Sequence, residues 1–179
     1  MKFNSKNLDV RQLTYIAVLT AIVAVLQFVP IKIVTFELAL SVPVIVIGAA
    51  LCGVGAGAWL GFVFGAVVLI LPGTAAFMSF NAFGTILTVL AKGISAGAVA
   101  GLVYKLIEKS NRYIAVLVSA VCATFVNTGV FLIGSLLFFE GNLATVVNTF
   151  ISVNFLIELV VNVVLVPTVY RVINIKKKV

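Results

Sequence analysis

The stretch Ala82-Phe-Gly-Thr-Ile-Leu-Thr-Val-Leu-Ala-Lys-Gly-Ile-Ser-Ala-Gly-Ala-Val-Ala-Gly-Leu-Val-Tyr-Lys-Leu-Ile107 is almost wholly apolar. It exceeds the roughly 20 residues that carry an α-helix across the ~30 Å hydrocarbon core of a bilayer. It therefore reads as a membrane-spanning helix. Two features inside it need a reason: a glycine at every fourth position (Gly93, Gly97, Gly101) and a single charge, Lys92, near the middle.

Working outward, five further apolar runs flank this one. Their approximate limits are residues 13–29, 36–51 and 56–71 before it, and 113–138 and 146–173 after it. Pro30 closes the first run, since proline lacks an amide hydrogen and clashes with the preceding turn. Pro43 falls in the first half of the second and predicts a tilt or kink there. Gly53-Val-Gly55 reads as a hinge into the third, which Pro72-Gly73 ends. Residues 73–81 are small, apolar and irregular in pattern, and are expected to form an outer loop folded over the bundle.

Composition agrees. The chain is 63% hydrophobic and only 9% charged, against roughly 25% charged residues in an average soluble domain. The expectation is an all-α integral membrane protein, a six-transmembrane-helix bundle forming one transmembrane domain over residues 1–179, with no soluble module. The stretch from Leu13 to Val29 lacks an A-x-A cleavage pattern and reads as the first span, not a removed signal peptide.

Charge placement sets the topology. With six spans and a cytoplasmic N-terminus, the inside holds Lys2, Lys6, Arg11, Lys105, Lys109, Arg112, Arg171, Lys176, Lys177 and Lys178. Only Lys32, in an outer loop, and Lys92, within a span, stand apart from these. Such an excess of inner Lys and Arg is the positive-inside pattern, so both termini are expected to be cytoplasmic. The net charge of +7 thus reflects membrane orientation, not nucleic-acid binding, because no basic stripe with interleaved aromatics is present.

Several chemistries are excluded. The chain has no histidine, which removes Ser-His and Cys-His catalysis and His-metal sites. Cys52 and Cys122 lack metal-ligand spacing and read as packing residues. There is no G-x-x-x-x-G-K-[ST] loop to cradle phosphates, and a lone carboxylate is a weak basis for catalysis. The expectation is a protein that is not an enzyme and binds no metal or cofactor of its own.

Lipid supplies no hydrophobic drive for helix association, so small residues that let backbones approach mark packing faces. Gly53, Gly57, Gly61 and Gly65 form one ridge and Gly93, Gly97 and Gly101 a second, serving to pack the bundle or to dock another membrane protein. Ala17 and Ala21 form a weaker third instance.

Ionisable groups at membrane depth are costly unless paired or facing a cavity. Lys92 and Glu158 stand at similar depths in the fourth and sixth runs, and Asn127 lies near the middle of the fifth. Asn154, Glu158 and Asn162 are spaced by four and share a helix face. Thr85, Thr88 and Ser95 add hydroxyls near Lys92. The cluster reads in two ways: an ion pair between Lys92 and Glu158 with asparagine cross-links that holds helices in register, or a pocket in which Lys92 meets an anionic ligand group and the asparagines bind hydroxyls or amides. The candidate substrate-binding set is Lys92, Asn127, Glu158, Asn81, Thr88, Asn154 and Asn162. Phe77, Phe80, Phe83, Phe138 and Phe139 are candidates for its walls.

These features resemble the substrate-binding S components of energy-coupling-factor (ECF) transporters, the vitamin importers of prokaryotes. The resemblance is carried by size, six spans and cytoplasmic termini. Four segments add to it: Ala17-Val-Leu-Thr-Ala21, Gly57-Ala-Trp-Leu-Gly-Phe-Val-Phe-Gly65, Gly97-Ala-Val-Ala-Gly-Leu-Val-Tyr-Lys105 and Asn154-Phe-Leu-Ile-Glu158. It implies residence in a prokaryotic plasma membrane and docking of Ala17 and Ala21 against a transmembrane T subunit. It also implies power from two cytoplasmic ATPase subunits, which consume the ATP this chain does not bind. The third and fourth runs look most like pantothenate-type members, which tend to carry an arginine where Lys92 stands. Riboflavin, pyridoxine and folate or a precursor are the other vitamins in view. Outside this family, the residues also fit a stand-alone proton-coupled transporter using Glu158, or a scaffold that binds no small molecule.

Overall fold

In this computed structural model residues 10–28, 32–33, 36–37, 40–138 and 152–175 are described, with backbone only at 32–33, 36–37, 76, 152–154 and 172–175. Among them are seven helices: α1 (Val10–Phe28), α2 (Ser41–Cys52), α3 (Val54–Ile70), α4 (Pro72–Phe80), α5 (Ala82–Ile107), α6 (Arg112–Phe138) and α7 (Ser152–Ile175). A short antiparallel ribbon, β1 (Lys32–Ile33) with β2 (Phe36–Glu37), lies between α1 and α2.

α1, α5 and α6 are each long and apolar enough to cross a membrane, as is α3 with α4 if that bent pair counts as one span. The expected six spans are therefore corrected among the described residues. The second run starts only at Ser41, because residues 36–37 pair in the ribbon. The resulting α2 has 12 residues, about 18 Å of helix, which falls short of the hydrocarbon thickness. Pro43 sits in its first turn, where an amide hydrogen would have no helical acceptor, so the expected kink has no cause. The first part of the sixth run, residues 146–151, lies outside the described residues, as do Pro30, Lys2, Lys6 and Lys176 to Lys178.

The loop expected over 73–81 is instead mostly helix. Leu71 precedes a proline, which disfavours the α conformation, and it is extended at φ −75°, ψ 145°. That residue ends α3 and turns the chain by more than 40° into α4. Pro72 then occupies the first helical position, where its missing N–H costs nothing. Asn81, also extended, ends α4 and caps α5.

Gly53 is the hinge the sequence suggested. Its φ of 95° is a conformation that side-chain-bearing residues rarely adopt, and it separates α2 from α3. Nothing would touch a Cβ there, so the backbone angle and not crowding demands glycine.

α3 and α5 run antiparallel with their glycine ridges mated. A Cβ on Gly57 would strike the carbonyl of Gly97, one on Gly61 the carbonyl of Gly93, and one on Gly65 would lie 2.9 Å from the carbonyl of Val89. Gly101 continues the series against Val54. Gly57, Gly61 and Gly65 are thus consumed by α5, and Gly93 and Gly97 by α3, so these glycines are not free to dock a partner.

Large apolar side chains face outward on α1, α5, α6 and α7, as lipid-facing surfaces do, and the interior holds small and polar residues together with two apolar clusters. One apolar cluster joins α2, α5, α6 and α7 through Val46, Ala100, Val116, Ala120, Val166 and Tyr170. Another joins α1, α2 and α3 through Val23, Ile45, Leu60 and Phe64. Tyr104 of α5 and Tyr170 of α7 share a buried hydroxyl hydrogen bond of 2.6 Å, with Tyr113 of α6 stacked edge-on against Tyr170.

Candidate ligand-binding site

Apart from Ser41 on α2 and Thr74 on α4, the buried polar residues among those described lie along α5, α6 and α7. Helical spacing explains it: Glu158 and Asn162 are four apart on α7, and Thr124, Asn127, Phe131 and Ser135 recur every three or four residues on α6. Thr88 and Lys92 are likewise four apart on α5. Thr88 abuts Gly134, since a Cβ there would strike its side chain, and Lys92 lies against Phe131. Those two contacts set the α5–α6 register, and Asn127 follows one turn further toward the C-terminal end of α5.

Lys92 is half-buried. Its ammonium sits 4.9 Å from the Phe131 ring centre and 5.7 Å from that of Phe64, a cation–π arrangement with two rings. Phe64 reaches it because Gly93 has no side chain: a Cβ there would lie 3.2 Å from the Phe64 ring. The glycine pairing of α3 with α5 therefore also builds an aromatic wall beside the charge.

Glu158 is within electrostatic reach of Lys92. Among the described residues, however, no carboxylate oxygen comes within the 4.0 Å of an ion pair. The ion-pair reading of the sequence is thus not realised as a direct contact, while the asparagine cross-links are. Asn127 Nδ2 donates to Glu158 Oε1 at 3.2 Å and Asn162 Nδ2 donates to Thr124 Oγ1 at 2.9 Å. The Thr124 hydroxyl is itself committed to the carbonyl of Ala120 at 3.0 Å.

Four buried polar atoms in this column have no partner among the described residues: Thr88 Oγ1, Ser135 Oγ, Asn127 Oδ1 and Asn162 Oδ1. Burying an unsatisfied polar group costs about 1–3 kcal/mol, so each such atom in a native core calls for an explanation. Lys92 Nζ likewise has neither hydrogen bond nor ion pair among the described residues. The column holds both an unused cationic donor and unused acceptors, which suits it to a small polar ligand.

The other candidate residues are placed as follows. Asn81 caps α5, its Oδ1 accepting from the Gly84 N–H at 2.9 Å, and stands about 16 Å along the helix from Lys92. Thr85 and Ser95 spend their hydroxyls on the carbonyls of Asn81 and Ala91. The Asn154 side chain lies outside the described residues, as does Phe139. Of the expected aromatic walls, Phe80 and Phe83 are 68% and 73% exposed and do not line the column, whereas Phe77 packs edge-on against Phe131 at 5.8 Å and Phe138 packs against Gly84. Sequence reasoning missed Thr124, Phe131 and Ser135, although their spacing from Asn127 signals a shared face. Phe64 had no such signal. Ala17 and Ala21 are both exposed on α1.

A helical membrane protein with a column of buried polar residues between its helices is the class that fold and site define. The family described as "ECF transporter, substrate-specific component" matches residues 11–170. The chain belongs to that family. Comparison with curated proteins and with solved structures returned no match.

Proposed function

We propose that this protein is the substrate-binding S component of an ECF importer in a prokaryotic plasma membrane, and that its cargo is a small carboxylated vitamin, pantothenate foremost. The observation that carries the reading is Lys92: a cation between two phenylalanine rings, at membrane depth, with no acceptor among the described residues. A ligand carboxylate would supply that acceptor, and charge-assisted hydrogen bonds are among the stronger ones available to a protein. Pantothenate has one carboxylate, one amide and two hydroxyls, matching a site with one cation and several unused polar atoms.

In this reading both termini are cytoplasmic. The chain docks through Ala17 and Ala21 on a transmembrane T subunit, and two ATPase subunits drive transport. The exposure of both alanines on α1 supports the docking face, because small side chains there admit close backbone approach. Native mass spectrometry of the purified protein, followed by calorimetric titration of pantothenate, riboflavin and pyridoxine, tests the proposal. A tight one-to-one vitamin complex is expected; failure of a broad vitamin panel to bind would sink it.

A further inference from the structure

The end of the bundle where α5 gives way to α6 collects positive charge from three helices. A four-residue turn, Glu108 to Asn111, is closed by the amides of Ser110 and Asn111 on the carbonyl of Ile107, which sets Arg112 beside the end of α5. Tyr104 is accordingly within electrostatic reach of both Glu108 and Arg112. Rings tie in the third helix: Tyr170 of α7 shares a hydroxyl hydrogen bond with Tyr104 and meets Tyr113 edge-on at 6.2 Å between centres. Each of these tyrosines has a cation as its chain neighbour, Lys105, Arg112 and Arg171. Those three and Lys109 are exposed, and none forms an ion pair or side-chain hydrogen bond among the described residues. Glu108 is the single carboxylate among the described residues at this end.

We propose that this end of α5, α6 and α7 binds the phosphate of an anionic membrane lipid. Orientation of a membrane protein depends on how many Lys and Arg flank its spans; it does not require cations of three helices to converge round one ring cluster. The convergence sets four cations against one carboxylate, and a lipid phosphodiester is the anion that the bilayer itself supplies at headgroup level. Leu106, Tyr113 and Ile114 are exposed alongside and suit the boundary between headgroups and acyl chains, where tyrosine concentrates. The first amides of α6 are already engaged, because Asn111 Oδ1 accepts from the N–H groups of Tyr113 and Ile114. The lysine and arginine side chains therefore hold the phosphate, through charge-assisted hydrogen bonds. Arg11 stands at the same end, since its neighbour Gln12 donates to the carbonyl of Cys52. It belongs to α1, however, which packs against α2 and α3 and adds nothing to the tyrosine cluster. The site needs no cargo and is independent of the vitamin reading.

The test is native mass spectrometry of the purified full chain presented with equal amounts of phosphatidylglycerol and phosphatidylcholine. Phosphatidylglycerol adducts should exceed phosphatidylcholine adducts by at least about 20-fold, the worth of two engaged cations. Lys105→Gln, Arg112→Gln and Arg171→Gln should each lower that preference about fivefold, whereas Arg11→Gln, which removes the same charge from the same end, should leave it unchanged. Lys109→Gln replaces any of the first three that fails to fold. Equal adducts of the two lipids would overturn the proposal. An equal fall in every variant, Arg11→Gln included, would show diffuse attraction to a basic face and overturn the site. Excess inorganic phosphate should leave the lipid adducts in place; their displacement would make this a site for free ions and overturn the lipid assignment.

Discussion

Gly61 and Gly93 face each other so closely that the carbonyl of each occupies the space a Cβ on the other would need. Gly57 and Gly97 repeat the relationship one turn away. This reciprocity fixes the register of α3 on α5, and through Phe64 it fixes what stands beside Lys92. Gly61→Ala must push the helices apart, at a cost of about 1–3 kcal/mol. Thermal unfolding in detergent should show a clear loss for Gly61→Ala and none for Gly129→Ala, where an added Cβ meets nothing within 4 Å. Equal stability of the two variants would show that the interface is looser than described.

Lys92 contributes a charge that no neighbour among the described residues neutralises by contact. Lys92→Met keeps the aliphatic length and the packing between Phe64 and Phe131 but removes the cation. Pantothenate affinity should fall by about 10- to 100-fold, the worth of one hydrogen bond to a charged group. An uncharged vitamin such as riboflavin should be unaffected. Equal effects on both ligands would make Lys92 structural.

Ala17 and Ala21 are exposed on α1, so a bulky residue there is not forced into the core. Ala17→Trp and Ala21→Trp should leave vitamin binding intact but abolish co-purification with a T subunit. Retained assembly in both variants would place the docking face elsewhere.

Tyr104 and Tyr170 tie α5 to α7 through their hydroxyls at 2.6 Å, beyond the asparagines and away from Thr88 and Ser135. Tyr104→Phe and Tyr170→Phe keep the ring packing and remove the hydrogen bond. A double-mutant cycle on thermal stability should return a coupling of about 0.5–1.5 kcal/mol, with vitamin affinity unchanged. Zero coupling would mean that the bond adds nothing to the fold, and a large affinity loss would extend the binding site to this end.

Much of this was legible from residue order alone. The run from Ala82 to Ile107 appears as one helix because an unbroken apolar stretch in lipid has to satisfy its backbone internally. Gly53 read as a hinge and proved to be one, since positive φ selects glycine strongly. The second run was misread because Phe36 and Glu37 are apolar-flanked in sequence but are held in a ribbon by pairing with residues 32–33, a partnership periodicity does not display. Residues 73–81 were misread because their irregular pattern hides a short helix whose limits are set by Leu71 and Asn81.

Membrane residence, the helical class, the two glycine ridges and the polar residues at membrane depth were thus determined by sequence, because each depends on the chemistry of a residue and its near neighbours along the chain. Tertiary structure alone decided that the ridges mate with each other, that Phe64 stands beside Lys92, and that Asn127 meets Glu158 while Asn162 meets Thr124. Those outcomes depend on the register and rotation of helices distant in sequence. In lipid that register is set by interhelical packing and hydrogen bonds, which exist only once the helices are side by side.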